Sequence, residues 1–567
     1  MNIARTILAA ALMFLVLLTI PSYLDFIGVQ TEQSENSSIA DKEQPTNLGL
    51  KMMPETQPQG IQVGSINEQI IKIKTDFFEL QLSNRAGGSI LDYRLIKSNQ
   101  GELEHFGSYD PTGKYDVNSP VLLHSDLLHI RCSPCLSVDG RTHLINEPFL
   151  LMTPINSQDI SLSGNETLEL HYRFENSLGD FVDKYILFSG NSYNIDSTVD
   201  FDLKKTFPSQ NIELSWLSGI LPAERMEADE LSYSGAYVSF NGNVDYINQP
   251  ANIKTDQKEY NDEKTDWLAI RNKFFAVSLF PNTPSEYSTL SSSNILFGDR
   301  SATPIYEASL GYKMNQGRLD FVTYLGPLDI ESVEKFNPDL KLIMNFGWSI
   351  IQPFSKLVLW LLKTMRDSLG MNYGLILILF AFLMRVVTGP LTKKSYESSI
   401  KMKEVAPLQK EIQEKYKNDP QKLQQELGKL WKKHGFNPAM SCVAPLLQMP
   451  LLMSFFIVFR STVEFRGQPF ILWVKDLSQP DYIFNLPFSI PMYGSAVAIL
   501  PILMGVSMFL TMRMSMQSAE DSQKYVMYFM NGFFILIFNT FPSGLTLYYT
   551  VYNFLSYQQQ LSIKKNN

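Results

Sequence analysis

The pattern of apolar and polar positions changes along the chain at about Lys341. Before this point the apolar runs are too short to cross a bilayer, and after it long runs of Leu, Ile, Phe and Met follow one another. In the first part, Ile71-Lys72-Ile73-Lys74 and Phe78-Glu79-Leu80-Gln81-Leu82 alternate apolar and polar residues, and Arg85-Ala86-Gly87-Gly88 then turns the chain. Such alternation with frequent turns predicts many short antiparallel strands. We therefore expect a large β-sandwich domain over residues 61–335, long enough to bury its own core.

An apolar run near the N-terminus, Thr6–Leu24, has roughly the length that a spanning helix needs. It follows one basic residue, Arg5, and ends without the small-residue pattern of a cleavage site. We interpret residues 1–24 as an uncleaved transmembrane anchor, with a removed signal peptide as the alternative. Residues 25–60 are predicted to form a flexible linker, because Gln, Glu, Ser, Asn and Pro leave too little apolar surface there for folding.

Further apolar runs beyond residue 370 predict five more transmembrane helices. They lie near Tyr373–Leu391, Cys442–Thr462, Met492–Met512, Tyr525–Thr540 and Ser543–Gln558, and the last is at the short limit for a span. Together with the anchor they predict a polytopic α-helical membrane protein with six spans. Five of these spans form a core within residues 371–567.

The distribution of lysine is a better guide to topology than the net charge of -9. Leu342–Leu362 is also apolar, but Lys356 inside it would cost a few kcal/mol in a spanning helix. If this stretch spanned, the lysine-rich loop Thr392–Ser441 would lie outside the cytoplasm, against the positive-inside rule. We therefore predict that residues 336–370 form an interfacial amphipathic helix, that both termini are cytoplasmic, and that the β domain lies outside.

The lysine-rich loop has helical periodicity of its own. Apolar residues recur at helical spacing in Tyr396–Tyr416 and Gln421–His434, and Asn418-Asp419-Pro420 separates the two runs. This predicts a cytoplasmic helical hairpin at residues 392–441 that acts as a lid or docking element for incoming chains. Its candidate residues are Lys401, Lys403, Lys410 and Trp431. The alternative is a solvated loop that binds lipid headgroups.

Arg385 points most directly to function, because it lies inside the first predicted span after the β domain. One interpretation is snorkelling, in which the long side chain reaches back to the headgroups. The other is that Arg385 faces a water-filled cavity, since charges inside a membrane usually mark a site or a pathway. The five later spans contain no Asp or Glu. This argues against a charge-paired proton relay and for a cation that awaits a transient anionic partner.

Polar residues on other predicted spans are candidate companions of Arg385. Thr388 is one turn away, Gln448 lies early in its span, and the last span carries a stripe of Thr546, Tyr549 or Thr550, and Asn553. Each alone is more typical of contacts between helices. Together they predict a hydrophilic substrate groove.

Sequence signatures of enzymes and metal sites are missing. Cys132 and Cys135 have C-x-x-C spacing, but no helical pattern follows them, so an incidental pair or a local disulfide is favoured over a redox site. The histidines lack the spacing of metal ligands, and no phosphate-binding loop, zinc motif or nucleophile elbow occurs. We expect no enzyme activity, no cofactor and no bound metal.

Three motifs resemble the YidC/Oxa/Alb family of membrane protein insertases. They are Met384–Thr392 (MRVVTGPLT), Cys442–Pro450 (CVAPLLQMP) and Phe541–Tyr549 (FPSGLTLYY). The resemblance extends over nearly the whole chain, and the external domain and anchor are similar to the Gram-negative form. It implies an insertase and chaperone that inserts, folds and helps assemble inner-membrane proteins through a positively charged groove, alone or with the Sec translocon.

The resemblance also implies roles for individual residues. Arg385 matches the groove arginine and Tyr549 matches an aromatic that contacts substrates, whereas Ala381 stands where the family often has Thr. The external domain resembles the β-supersandwich of sugar-processing proteins in fold alone. Implied partners are nascent integral membrane proteins, the Sec translocon, the ribosome and lipid, with no direct binding of nucleic acid and no small-molecule substrate.

Two other functions are alternatives to insertion. A secondary transporter for a small anion would use Arg385 as its binding charge, but it predicts inverted repeats and discontinuous helices that the sequence lacks. An anchored periplasmic carbohydrate-modifying enzyme would need clustered catalytic groups in Ile61–Asp329, and it leaves the later spans unexplained.

Overall fold

The computed structural model describes residues 66–566 except for 97, 100–101, 104, 127–131, 141–142, 209–210, 249–255, 262, 296, 299, 301–302, 314–316, 436–439, 491–492 and 516–520. The predicted anchor at residues 1–24 and the predicted linker at 25–60 lie outside the described residues. The described chain divides into two compact units, with the boundary between Met344 and Asn345.

The first unit is built mainly of β-strands. In chain order they are β1 (Ile70–Lys74), β2 (Phe78–Ser83), β3 (Ser89–Leu95), β4 (Ser98–Asn99), β5 (Glu102–Leu103), β6 (Phe106–Tyr109), β7 (Tyr115–Pro120), β8 (Leu122–Ser125), β9 (Cys135–Val138), β10 (His143–Ile145), β11 (Leu150–Leu151), β12 (Asp159–Ser161), β13 (Thr167–Glu175), β14 (Phe181–Ser189), β15 (Asn194–Asp202), β16 (Asn211–Trp216), β17 (Gly235–Phe240), β18 (Asn243–Ile247), β19 (Asp256–Tyr260), β20 (Trp267–Arg271), β21 (Phe275–Pro281), β22 (Tyr287–Ile295), β23 (Thr303–Lys313) and β24 (Arg318–Pro327). The unit also contains α1 (Glu227–Leu231), α2 (Ile330–Phe336) and the 3-10 helix Pro338–Ile343.

Three sheets form the bulk of this unit. Their strand orders are β11-β13-β14-β15-β24-β21-β20-β17-β18, β10-β9-β16-β23-β22-β19 and β12-β1-β2-β3-β8. All neighbours are antiparallel except β1 and β12. In β1, Ile71 and Ile73 are buried while their neighbours are exposed, as the period-two pattern predicts for a strand with one face on the core.

The core of this unit lies between the sheets. Trp216 of β16 and Trp267 of β20 are fully buried, and the hydroxyl of Tyr93 in β3 donates to the carbonyl oxygen of Leu325 in β24 at 2.7 Å. Cys132 and Cys135 form a disulfide, and both side chains are buried. This pair is therefore structural in position and out of reach of solvent.

The second unit is mainly helical. Its elements are α3 (Gln352–Leu369), α4 (Tyr373–Lys415), α5 (Pro420–Lys433), α6 (Met440–Ser461), the 3-10 helix Val463–Phe465, β25 (Tyr482–Ile490), β26 (Gly494–Ala498), α7 (Leu500–Ser515), α8 (Asp521–Phe538) and α9 (Ser543–Asn566). Among the described residues, Tyr373–Ser398 alone is both long and apolar enough to span a bilayer. Gln448–Ser461, Leu500–Met514 and Lys524–Phe538 are shorter apolar helices. The count of six spans stays a prediction.

Helix α4 differs from the predicted span at Tyr373–Leu391. It continues without a break to Lys415, so the first arm of the hairpin prolongs it. Pro390 and Pro407 lie inside the helix. Each removes one backbone hydrogen bond, yet the lysine-rich stretch stays helical because its residues have good helix propensity.

Two further predicted bounds were wrong. Within residues 336–370 the α-helix covers only Gln352–Leu369, since Pro338 and Gly347 interrupt the preceding apolar stretch and Pro353 lies in the first turn of the helix, where proline is tolerated. The predicted span Met492–Met512 begins too early, because Gly494–Ala498 is strand β26 and the helix starts at Leu500. An average of apolar content does not distinguish an apolar strand from an apolar helix.

Candidate functional site

Arg385 lies on the inward face of α4. It shares this face with Phe380 and Ala381, and only 8% of its surface is exposed. Val386 and Val387, on the opposite face, are 75% and 63% exposed. The guanidinium is therefore directed toward the neighbouring helices.

The surroundings of Arg385 come mainly from α9. Its Nη2 donates to Oε1 of Gln559, and its guanidinium carbon lies 5.6 Å from the centre of the Tyr552 ring. Within the part of the chain that the structure describes, Nε and Nη1 have no hydrogen-bond partner and no ion pair to Arg385 occurs. A buried cation with two uncommitted donors favours an anionic or strongly polar partner.

Thr388 belongs to the same contact between α4 and α9. Its hydroxyl donates to the carbonyl oxygen of Met384 at 2.7 Å and lies 3.0 Å from the hydroxyl of Tyr552. At the next residue of α4, Nε2 of Gln559 donates to the carbonyl oxygen of Gly389 at 3.4 Å. The Thr388–Tyr552 and Gly389–Gln559 contacts hold α9 against α4 next to Arg385.

The other predicted groove residues are less directly involved. Thr546 is fully buried, and its hydroxyl donates to the carbonyl oxygens of Ser543, in the first turn of α9, and of Pro542, just before it. Tyr549 is 6% exposed, and among the described residues its hydroxyl has no partner. Gln448 and Asn553 are half-buried. Of the predicted set, the structure joins Arg385 and Thr388 through a shared tyrosine.

Tyr552 and Gln559 were missed in the sequence analysis. Tyr552 follows Tyr549 by three residues and Gln559 follows Tyr552 by seven, which are helical spacings that continue the predicted stripe. The predicted last span ended at Gln558, whereas α9 extends to Asn566. A longer predicted last span would have included Gln559.

An aromatic layer lies beside the arginine toward the N-terminal end of α4. Phe455 of α6 stacks on Tyr548 of α9 at 4.1 Å between ring centres, and Phe380 of α4 contacts both at 5.5 and 6.1 Å. All three rings are buried. The space beside Arg385 is therefore filled with apolar rings on this side.

The order of contacts gives the directions of the helices. Phe380 of α4 contacts Phe455 of α6, and Tyr373, earlier in α4, contacts Phe465, which follows α6. Helices α4 and α6 are therefore antiparallel. Tyr528 of α8 contacts Phe509 of α7, and Asn531 donates to Gly505, so these two helices are antiparallel as well. Helices α4 and α9 are parallel, because Phe380 meets Tyr548 and Gly389 meets Gln559.

The predicted hairpin is formed by the distal part of α4 together with α5. Val405 and Leu430 are buried against each other, and Ile412 and Trp431 pack against them. Lys401 and Lys410 are exposed, and the side chain of Lys403 lies outside the described residues. Trp431 therefore belongs to the apolar seam of the hairpin, while Lys401 and Lys410 lie on its surface. No group of three potential metal ligands occurs among the described residues.

Comparison with known proteins identifies the family. The family model described as 60Kd inner membrane protein matches residues 364–567, and the model of the YidC periplasmic domain matches residues 150–361. The membrane protein insertase YidC of Chlorobium limicola is 33% identical over 88% of this chain and 82% of the relative. That of Chlorobaculum parvum is 32% identical over 93% of this chain and 88% of the relative. The chain belongs to the YidC family of membrane protein insertases.

Membership in the YidC family makes the chain an inner-membrane insertase with a periplasmic domain of β-sheets and a helical C-terminal region. The family is not a known class of enzyme, and the anion-transporter alternative is not favoured. A crystal structure of an active YidC insertase with its first transmembrane domain resolved aligns over 89% of this chain and 94% of that chain. Its identity of 18% and TM-score of 0.33 are too low to compare the arrangement of the two chains.

Proposed function

We propose that the chain inserts, folds and helps assemble integral membrane proteins by receiving their polar segments at a groove centred on Arg385. The observation that carries this proposal is a buried guanidinium with two donors that no described residue engages. Thr388, Tyr549, Tyr552 and Gln559 line the same contact region, and Gln448, Thr546 and Asn553 remain proposed members of the groove. The family provides the class of substrate, and Arg385 provides the point of contact.

The proposed topology has six spans with both termini in the cytoplasm. Residues 1–24 form the anchor, 25–60 the linker, 61–335 the periplasmic β-supersandwich, 336–370 an interfacial segment and 371–567 the core. Two antiparallel helix pairs support alternating crossings, and so does the parallel arrangement of α4 and α9, which have the three proposed spans α6, α7 and α8 between them in sequence. Trp348 and Trp360, exposed by 47% and 60%, suit an interfacial position for α3 and the turn before it.

The groove is proposed to be open toward the cytoplasm and closed toward the periplasm. With the N-terminal end of α4 on the periplasmic side, the layer of Phe380, Phe455 and Tyr548 lies outward of Arg385. The lysine-rich hairpin then lies at the cytoplasmic end. An incoming segment meets a basic surface first, then the buried guanidinium, and finally an apolar barrier.

Insertion then follows from the relative cost of two environments. A polar or acidic segment loses hydration when it leaves water, and hydrogen bonds from Arg385 replace part of what is lost. The adjoining apolar segment of the client moves sideways into lipid, where burial is favourable by roughly 25 cal/mol per Å² of apolar surface. Neither step needs a covalent reaction or a cofactor.

The hairpin is proposed to dock the incoming chain and its carriers. Lys401 and Lys410 are exposed on it, and Lys403 lies between them in sequence. The Val405–Leu430 seam, with Trp431 against it, keeps the two arms together. This basic surface suits the ribosome and anionic lipid headgroups, and the Sec translocon is a further proposed partner in the membrane.

Site-specific cross-linking to nascent membrane proteins on ribosomes tests the proposal. A photoreactive residue at position 549 or 559, in place of Tyr549 or Gln559, should cross-link to several unrelated clients. The same photoreactive residue in place of Phe529 of α8, which is 61% exposed, should cross-link to lipid. Clients that appear equally at all three positions, or at none, would contradict a groove at Arg385. Cross-links to a single protein, or to a small molecule and no protein, would contradict a general insertase.

A further inference from the structure

The hairpin of β25 and β26 carries no charge. From Tyr482 to Ile499 the sequence is YIFNLPFSIPMYGSAVAI, without Asp, Glu, Lys, Arg or His. The segment joins the region after α6 to the start of α7, and the groove described above uses none of its residues. An apolar hairpin of this kind needs a physical explanation of its own.

Strand β25 is exposed on both faces. Tyr482, Ile483, Phe484 and Phe488 are exposed by 38%, 45%, 52% and 61%. Successive side chains of a strand point to opposite faces, so consecutive exposed apolar residues leave neither face on a protein core. Strand β1 differs, because its buried and exposed positions alternate and one face lies on the core. Contiguous exposed apolar surface on an otherwise folded unit marks a binding surface.

The hairpin is fixed by buried polar side chains, along β26 through Asn539 and at the base through Asp481. Nδ2 of Asn539 donates to the carbonyl oxygens of Tyr493 and Ala496, both at 2.7 Å, and its Oδ1 accepts from the amide of Ala498 at 3.0 Å. The carboxylate of Asp481 accepts from Nε1 of Trp473 at 2.8 Å. It also accepts from the amide of Leu500 at 2.9 Å, the first residue of α7. These bonds tie the hairpin to the end of the helical unit where α7 begins and α8 ends.

We propose that this hairpin binds the lipid of the periplasmic leaflet, with its aromatic strand in the headgroup region. Absence of charge and a majority of aromatic and aliphatic side chains match a lipid surface, and Tyr is typical of membrane interfaces. The hairpin is also continuous with the apolar helix α7, and its placement in the periplasmic leaflet rests on the proposed topology. Because it has no basic residue, it recognises zwitterionic and anionic lipids alike.

The backbone sets the depth of insertion. Among the described residues β25 pairs with β26 alone, so the peptide groups along its other edge have no partner in the sheet. Such groups cannot enter the hydrocarbon core without a large loss of hydrogen bonding. The headgroup region provides water for the strand edge and apolar contact for the side chains. The hairpin therefore lies in the plane of the interface and does not span.

Collision measurements on the full-length protein in phosphatidylcholine vesicles test this placement. A nitroxide is attached at Phe488→Cys or Asn485→Cys in a Cys442→Ser background, because the disulfide cysteines are buried. The control is Asn243→Cys, at the exposed first residue of β18. We expect a several-fold higher ratio of oxygen to nickel-complex collisions at positions 485 and 488 than at 243. Equal ratios would overturn the proposal.

A second comparison tests whether the aromatic side chains set the depth. With the label at position 485, Phe488→Asp should increase collisions with the nickel complex several-fold, and Phe488→Leu should leave them near the starting value. No difference between the two variants would overturn the proposal. So would shielding of the label from both oxygen and nickel, since this indicates contact with protein such as a second copy of the chain. Client insertion measured in the same vesicles separates this result from the groove, which does not depend on it.

Discussion

The guanidinium of Arg385 and the ring of Tyr552 face each other across two parallel helices, with 5.6 Å between the guanidinium carbon and the ring centre. The contact gives the buried charge an aromatic neighbour without neutralising it. The hydroxyl of the same tyrosine lies 3.0 Å from that of Thr388, so the ring is held in place from the α4 side. A charge that is positioned yet not paired suits a site whose anionic partner comes and goes.

Removal of the charge should impair insertion selectively. For Arg385→Ala we expect insertion of clients with acidic external tails to fall by about tenfold or more, because a hydrogen bond to a charged group contributes about 1.5–3 kcal/mol. Insertion by Arg385→Lys should lie between that of the native protein and that of Arg385→Ala, since lysine keeps the charge and loses the planar set of donors. The measurement is the inserted fraction in proteoliposomes. Clients with uncharged tails are the control, and equal losses for both client types would mean that Arg385 acts only on folding.

The ring and the hydroxyl of Tyr552 should have separable effects. Tyr552→Phe keeps the ring beside Arg385 and should retain most of the insertion activity, whereas Tyr552→Ala should reduce it by several-fold, in line with a cation–π contribution of about 0.5–2 kcal/mol. Thr388→Val is the matched control, because it removes the hydroxyl partner from the opposite side and leaves the ring. Initial insertion rates give the comparison. A Phe variant as defective as the Ala variant would assign the role to the hydroxyl.

The apolar seam of the hairpin should determine its order. Leu430 is 9% exposed and packs on Val405, so Leu430→Ala should lower the stability of the closed hairpin by about 2–5 kcal/mol, the usual cost of such a truncation in a core. Hydrogen exchange in peptides covering Pro420–Lys433 should then become faster. Leu408→Ala is the control, because Leu408 is 41% exposed and its loss should leave exchange unchanged. Similar acceleration in both variants would contradict the seam.

The periplasmic domain should lose stability in acid through His124. Burial lowers the pKa of this histidine to about 4, and its Nε2 lies 2.9 Å from the carbonyl oxygen of Ile90. Between this value and the ordinary pKa of about 6.5 the unfolded chain binds more protons than the folded one. The contribution of neutral, buried His124 to the free energy of unfolding is therefore complete above pH 6.5, and it is lost as the pH falls toward 4.

A substitution that cannot be protonated isolates this effect. From pH 7.5 to 4.5 the native protein should lose about 2 kcal/mol more than His124→Gln, whatever the variant costs at neutral pH. Hydrogen exchange in peptides covering β3 and β8, corrected for the intrinsic pH dependence, gives the free energy of opening. Parallel pH profiles for the two proteins would show that His124 does not carry the loss.

Prediction from sequence succeeded where a local pattern decides the structure. Alternation in Ile70–Lys74 produced a strand with one buried face, and the isolated charge of Arg385 marked the inward face of α4. Tyr552 and Gln559 were not predicted, because their roles depend on which side of α9 meets α4. That choice is made by packing between helices far apart in sequence.

The ends of elements were predicted less well, for a physical reason in each case. Apolar content continues from Tyr482 through the start of α7, so hydropathy did not reveal that the chain first forms a hairpin. The three hydrogen bonds of Asn539 that hold β26 and the turn before it join residues more than forty positions apart, and no local signal reveals them.

Helix α4 has a mechanical consequence. Its 43 residues extend about 65 Å at 1.5 Å per residue, roughly twice the thickness of the hydrocarbon core. Arg385 and Val405 of the hairpin seam therefore lie on one continuous helix. A force that a client applied to the hairpin would be transmitted along the helix axis toward Arg385, and Pro390 and Pro407 are the positions where this helix bends most easily.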